Sequence, residues 1–139
     1  MRAISLWQPW ATAVAIKLKG IETRHWTTAY RGPLAIHAAK RWDSSQRDIA
    51  AAIPPERHAS GVLVPVDIPL GAIVALVNLT DIQKTEELLG RITEVEQYWG
   101  NYESGRYGWI FDNVRALSKP IPFKGAQGFF NVPDDLILA

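Results

Sequence analysis

The sequence predicts an α+β fold: a small, mostly antiparallel β-barrel of five or six strands flanked by two or three helices. Three observations carry that expectation. Apolar runs of strand length recur along the chain without the βαβ alternation of a parallel sheet. Gly- and Pro-containing turns separate them. At 139 residues the chain fits one domain, residues 1–139, long enough to bury a core.

Ala3-Ile4-Ser5-Leu6-Trp7 reads as the first strand. Gln8-Pro9-Trp10 opens a helix, since a first-turn proline lacks only an N–H that would go unpaired anyway. Trp10, Val14 and Leu18 recur on one side of it, and Gly20 stops it. From Ile21 the chain reads as a strand, with Glu22, Arg24 and Trp26 on one face and Ile21, Thr23 and His25 on the other. Tyr30-Arg31-Gly32-Pro33 is a turn, and Leu34 to Ala39 a strand carrying His37 near its end.

Trp42 to Ile53 is expected to be helical, with Asp43 or Ser44 as N-cap and Pro54-Pro55 as its end. Glu56 to Leu70 reads as an irregular flap. Gly71 to Leu79 is the most apolar strand, central and covered on both faces, and Thr80-Asp81 leads out of it. Thr85 to Tyr98 is expected to form one helix, with Glu86, Glu87, Glu94 and Glu96 on its solvated face. A turn-rich loop then leads to a strand from Tyr107 to Phe111, continued through Val114 and Leu117. Pro120 to Phe123 reads as an extended edge, Lys124 to Gly128 as a turn, and Phe129 to Val132 as the last strand, stopped by Pro133.

Composition narrows the function. Apolar residues at 47% and charged residues at 21% describe a globular chain. A net charge of +1 supplies no global field for duplex nucleic acid, so any polynucleotide must meet a local patch. With no cysteine there is neither a disulfide framework nor a thiolate nucleophile. Met1 to Ser5 lacks a signal-peptide core and no apolar run is long enough to span a bilayer, so a cytoplasmic setting without membrane contact is expected.

Phosphate loops and serine-hydrolase elbows are absent, and His25, His37 and His58 do not sit at metal-ligand spacing, so neither cofactor nor metal is expected. Lys19, Glu22 and Arg24 stand out instead, and their spacing fits a solvated surface pair as well as the lining of a pocket. A lysine in a low-dielectric cleft can donate to a developing oxyanion, and a nearby glutamate can take a proton from water. Such a pair suits hydrolysis of an amide or ester. The same groups equally suit binding a nucleobase edge or a phosphate.

Ile4-Ser5-Leu6-Trp7-Gln8-Pro9-Trp10-Ala11, Lys19 to Trp26, and Arg31-Gly32-Pro33-Leu34-Ala35-Ile36-His37 together resemble the ASCH domain, a family with the PUA fold. Gly71-Ala72-Ile73-Val74-Ala75, Arg106-Tyr107-Gly108-Trp109 and Pro120-Ile121-Pro122 followed by Lys124-Gly125 agree. In the family hallmark Gly-x-Lys-x-x-Glu-x-Arg, Lys19, Glu22 and Arg24 match. Lys17 stands where the first glycine belongs and Gly20 follows the lysine, so the turn is expected to be displaced by a few residues.

The resemblance implies a PUA-like barrel with a cleft floored by this motif. Some small bacterial members are amidohydrolases that remove the acyl group from N4-acetylcytidine; others are described as ribonucleases or nucleic-acid binders. The amidohydrolases resemble one another in a lysine, threonine and glutamate set whose threonine falls at Glu22 here. Thr23 is one residue later and on a strand faces away, so a threonine nucleophile does not carry over. The resemblance therefore points to Glu22 as the base that activates water and to Lys19 on the carbonyl oxygen or the leaving amine. Arg24 would orient Glu22 or bind the pyrimidine. Trp7, Trp10, Trp26 or Tyr107 would stack on the base, Gln8 would reach its edge, and His37 would add a substrate contact. The expected partner is a nucleoside. The rival readings are an RNA-binding module taking single-stranded RNA through Lys40, Arg41, Arg106 or Lys124, and a metal-independent ribonuclease.

Overall fold

The computed structural model describes residues 1–51 and 68–138. Six strands form one sheet: β1 (Arg2–Leu6), β2 (Ile21–Arg24), β3 (Gly32–Ala38), β4 (Ala72–Lys84), β5 (Tyr107–Pro122) and β6 (Phe130–Asn131), in the order β2-β5-β4-β3-β1-β6. Every pairing is antiparallel except that of β1 with β3. Among the described residues there are five α-helices: α1 (Trp10–Ala15), α2 (Ser44–Ala50), α3 (Thr85–Leu88), α4 (Glu94–Tyr98) and α5 (Asp134–Leu138). The mostly antiparallel α+β expectation therefore holds.

β4 is buried on both faces. Val74, Ala75, Val77 and Leu79 belong to a cluster with Ile4, Leu34, Val14 and Trp109, whereas Ile73 and Leu76 pack with Ala3, Ala35 and Val132. Three register shifts along β4–β5 curve the sheet. β2 and β6 lie at opposite ends of the strand order, yet Trp26 just after β2 and Phe129 just before β6 meet edge to face at 5.3 Å. Trp109 of β5 packs against both, 4.7 Å from Trp26 and 5.7 Å from Phe129. The barrel-like closure is thus made by aromatic rings, with no strand pairing between the two edges among the described residues.

Several elements differ from expectation for local reasons. β4 runs on to Lys84 because Asp81 to Lys84 stay in register with Ile110 to Tyr107 of β5. The expected helix from Thr85 to Tyr98 is divided. A 3₁₀ turn over Leu89–Arg91 ends at extended Ile92, and Thr93 starts α4 by accepting from the Glu96 N–H. α2 carries a full capping box between Asp43 and Gln46. Its expected extension to Ile53, the Pro54-Pro55 stop, and the flap from Glu56 to Val66-Asp67 lie outside the described residues. Pro120 and Pro122 lie within β5, whose end pairs Ile121 with Ile73 and Pro122 with Ala72.

Candidate active site

α1 ends in a turn that delivers Lys19. Its last carbonyls are closed by Lys17 N–H donating to Val14 O at 3.0 Å and Leu18 N–H donating to Ala13 O at 2.9 Å, the paired bonds of a Schellman motif. Lys17 takes φ = 66°, the left-handed conformation that favours glycine. This corrects the expectation of a displaced turn: a lysine occupies the glycine position and keeps its backbone shape, so Gly20 is not what ends the helix. The Glu96 carboxylate then accepts from Gly20 N–H at 3.0 Å and Ile21 N–H at 2.8 Å. Glu96 is therefore not on a solvated face; it pins the segment between the two candidate catalytic residues.

Lys19 is 1% exposed, and its Nζ donates to the Trp99 carbonyl at 2.7 Å and lies 3.4 Å from Glu22 Oε1. Glu22 Oε2 lies 3.2 Å from Arg24 Nε, and Arg24 Nη2 donates to the Ser5 carbonyl at 2.7 Å. Glu22 and Arg24 share a strand face, as their i, i+2 spacing requires. A carboxylate between two cations, one wholly buried, is a poor stabilising device, because hydrophobic residues of similar size would spare the desolvation.

The cluster floors a cleft of about 480 Å³ walled by Trp7, Trp10, Trp99 and Tyr98, with Arg106 and Asn101 on its rim. Behind it Tyr102 is buried with its hydroxyl lacking a hydrogen-bond partner among the described residues. Burial first, then the Glu96 and Glu22 carboxylates, push its phenol well above the ordinary range, so it stays protonated. Thr23, expected to face away, also lines this cleft, where its Oγ1 is taken up by accepting from Asn101 N–H at 3.0 Å.

A second, larger cleft of about 1540 Å³ adjoins the first. Ser5, Trp7, Arg24 and His25 line both. The second is bordered by Lys40, Lys124, His37, Phe123 and the turn from Gly125 to Gly128, with no carboxylate among its described lining residues. Trp7 stands at the junction, 51% exposed, with the Arg41 guanidinium 4.1 Å above its ring.

The family model described as "ASCH domain" matches residues 4–121. The chain belongs to the ASCH domain family. Activating signal cointegrator 1 of Mus musculus and of Homo sapiens are each 27% identical to it over 124 residues, covering 88% of this chain. The chain spans only 20% of the length of those relatives. Among solved structures, the ASCH protein from Zymomonas mobilis superposes with a TM-score of 0.60 at 16% identity, covering 99% of this chain and 90% of that one. A tyrosine-to-phenylalanine mutant of the same Zymomonas mobilis protein gives 0.59 at 14% identity, with 99% and 93% coverage. These likenesses establish the shared PUA-like α+β fold.

In this ASCH domain the candidate residues divide. Trp7, Trp10, Lys19, Glu22 and Arg24 converge on the first cleft. Trp26 and His37 border the second, and Tyr107 lines neither, packing half-buried against the core. The expectation that Gln8 reaches a base edge is corrected: it is fully buried, and both ends of its amide are spent inside the protein. Its Nε2 donates to Thr12 Oγ1 at 2.8 Å and Pro69 O at 3.0 Å, while its Oε1 accepts from Thr12 N–H at 2.9 Å. Sequence reasoning misses Trp99 and Glu96: the first acts through its backbone carbonyl, which has no sequence signal, and the second reads as part of the solvated face of a helix that is polar on most sides.

Proposed function

We propose that this ASCH domain is an amidohydrolase that removes the acyl group from N4-acetylcytidine and related N4-acylated cytosine nucleosides. One observation carries the reading: a fully buried lysine ammonium 3.4 Å from a carboxylate at the floor of a tryptophan-walled cleft sized for a small guest. Lys19 Nζ has three hydrogens; Trp99 O accepts one, and Glu22 Oε1 stands in ion-pair contact at 3.4 Å. A remaining hydrogen is available to the acyl oxygen as negative charge develops there. Glu22 takes the proton of the attacking water, Arg24 holds its other oxygen, and Trp7 and Trp10 flank the pyrimidine.

The test is release of cytidine from N4-acetylcytidine by the purified protein. Turnover is expected, with kcat lowered by about 10²-fold or more in Glu22→Gln and Lys19→Met, each checked for folding by its melting curve. No turnover by the folded wild type, or undiminished turnover in both variants, would falsify the reading.

The acid-free second cleft favours one alternative, an RNA-binding module in which a single strand runs from the first cleft past Trp7 toward Lys40 and Lys124. The mammalian relatives carry the name of a cointegrator, which suits binding as well as catalysis. That reading expects salt-dependent affinity for single-stranded RNA, weakened by Lys40→Ala with Lys124→Ala.

A further inference from the structure

We propose that Ser5 and His37 form a nucleophile–base pair, in which Ser5 Oγ attacks an acyl carbonyl carbon while His37 Nδ1 takes its proton. Ser5 on β1 and His37 on β3 are register partners across the parallel pairing, and a register shift between Ile36 and His37 re-aims the imidazole. Ser5 Oγ lies 2.9 Å from Nδ1, and Nε2 lies 2.7 Å from the Phe123 carbonyl oxygen.

Hydrogen placement follows from the partners. A carbonyl oxygen can only accept, so Nε2 carries the ring hydrogen. Burial lowers the His37 pKa and keeps the ring neutral, so Nδ1 is a bare lone pair. The contact with Ser5 is then made by the serine hydroxyl donating to the ring. That is the ground-state arrangement of a serine about to be deprotonated, with the Phe123 carbonyl as the group that orients the base.

The ring has little freedom to turn. A Cβ built on Gly125 would stand 2.5 Å from His37 Cε1 and 2.7 Å from Nδ1, so only glycine lets the backbone approach there. The edge of Phe130 covers another side at 5.5 Å. Ser5 lines both clefts and therefore faces the same space as Lys19, Glu22 and Arg24. Arg24, bonded to the Ser5 carbonyl, has a buried Nε with no aligned hydrogen-bond acceptor among the described residues.

The chemistry balances without a further reactant. Ser5 Oγ bonds to the acyl carbon, its proton moves to His37 Nδ1, and the carbonyl oxygen becomes an oxyanion facing Lys19 and Arg24. Collapse breaks the bond from carbon to the amide nitrogen, which leaves as an amine with the imidazolium proton. Water then adds to the ester carbon and gives its proton to His37 Nδ1. The bond to Oγ breaks, His37 returns that proton to Ser5 Oγ across the 2.9 Å contact, and the carboxylic acid departs. Use of this pair on N4-acylated cytosine rests on the preceding reading; the pair itself does not.

Two arms keep the two claims apart. The 139-residue chain is treated with p-nitrophenyl acetate, quenched in acid and mapped by peptide mass. Separately, Ser5→Ala is assayed on N4-acetylcytidine. The expected results are one acetyl group on the peptide carrying Ser5, none in Ser5→Ala, and labelling slowed by about 10² in His37→Gln. Gly125→Ala, which crowds the ring from its other face, is expected to slow labelling too and serves if His37→Gln melts. Acetyl-Ser5 without turnover of N4-acetylcytidine keeps the pair and overturns the amidohydrolase reading. Cytidine release at the wild-type rate in Ser5→Ala, or a wild type that gains no acetyl at Ser5, overturns the pair.

Discussion

The fold lowers the pKa of His37, a group whose ordinary titration lies near neutral pH. Desolvation depresses its pKa below the ordinary 6.5, outweighing the Phe123 carbonyl, which favours the charged ring. The unfolded chain therefore binds more protons than the folded one between the depressed value and 6.5. Stability from this group is complete above that window and is lost as pH falls through it. Melting temperature is expected to decline from about pH 7 toward about pH 5, with a shallower decline in His37→Gln. The depressed carboxylates of Asp43, Asp81 and Glu86 act with the same sign only further into acid, below their ordinary values of 3.8 for the aspartates and 4.5 for Glu86, so the contributions are centred at different pH. A slope between pH 7 and pH 5 that is identical in wild type and variant would remove His37 as its source. Lys19 and Glu22 form an ion pair in the interior, and removing one ion from such a buried pair costs about 3–5 kcal/mol, so Glu22→Gln and Lys19→Met are both expected to lower the melting temperature.

At the scale of elements, the end of α1 decides where Lys19 points. Lys17 holds a left-handed conformation that costs an L side chain about 1–2 kcal/mol, and nothing at that position requires the lysine head, which is exposed. Lys17→Gly is expected to raise stability by about 0.5–1 kcal/mol in urea unfolding with turnover unchanged; a loss of stability would show that the side chain contributes more than the strain it causes. The hallmark residues Lys19, Glu22 and Arg24 were legible through the resemblance to the ASCH motif; strand alternation put Glu22 and Arg24 on one face but left open whether that face was surface or cleft. The same patterns could not show that Thr93 restarts a helix after an extended Ile92, nor that Glu96 reaches across to Gly20 and Ile21, since both depend on contacts distant in sequence. The parallel pairing of β1 with β3 was equally hidden, because β2 between them pairs elsewhere. Gln8 misled for a related reason: an amide beside a tryptophan reads as a ligand contact until Thr12 and Pro69 are seen to consume it.

At the scale of the molecule, the aromatic cluster of Trp26, Trp109 and Phe129 holds the two ends of the sheet together where no ladder joins them among the described residues. Trp109 is fully buried and also donates from Nε1 to the Trp26 carbonyl at 3.3 Å. Trp109→Ala is expected to cost about 3–5 kcal/mol, read from denaturant unfolding, and to weaken both clefts together because each depends on β1 and β2 keeping their separation. A cost under about 1 kcal/mol would show that strand pairing alone closes the structure. The strands and their succession along the chain were legible from apolar runs and turns; that the closure is aromatic was not, since Trp26 and Phe129 are far apart in the chain.

Five of the six tryptophans are at least partly shielded, and Trp7 alone is more than half exposed, at the junction of the clefts under the Arg41 guanidinium. Whatever settles there must either slide beneath that cation or push it aside, altering the polarity around that indole most and around the neighbouring Trp10 and Trp99 of the same cleft less. The protein thus carries its own unlabelled optical gauge of occupancy, read as a shift in fluorescence colour during a titration.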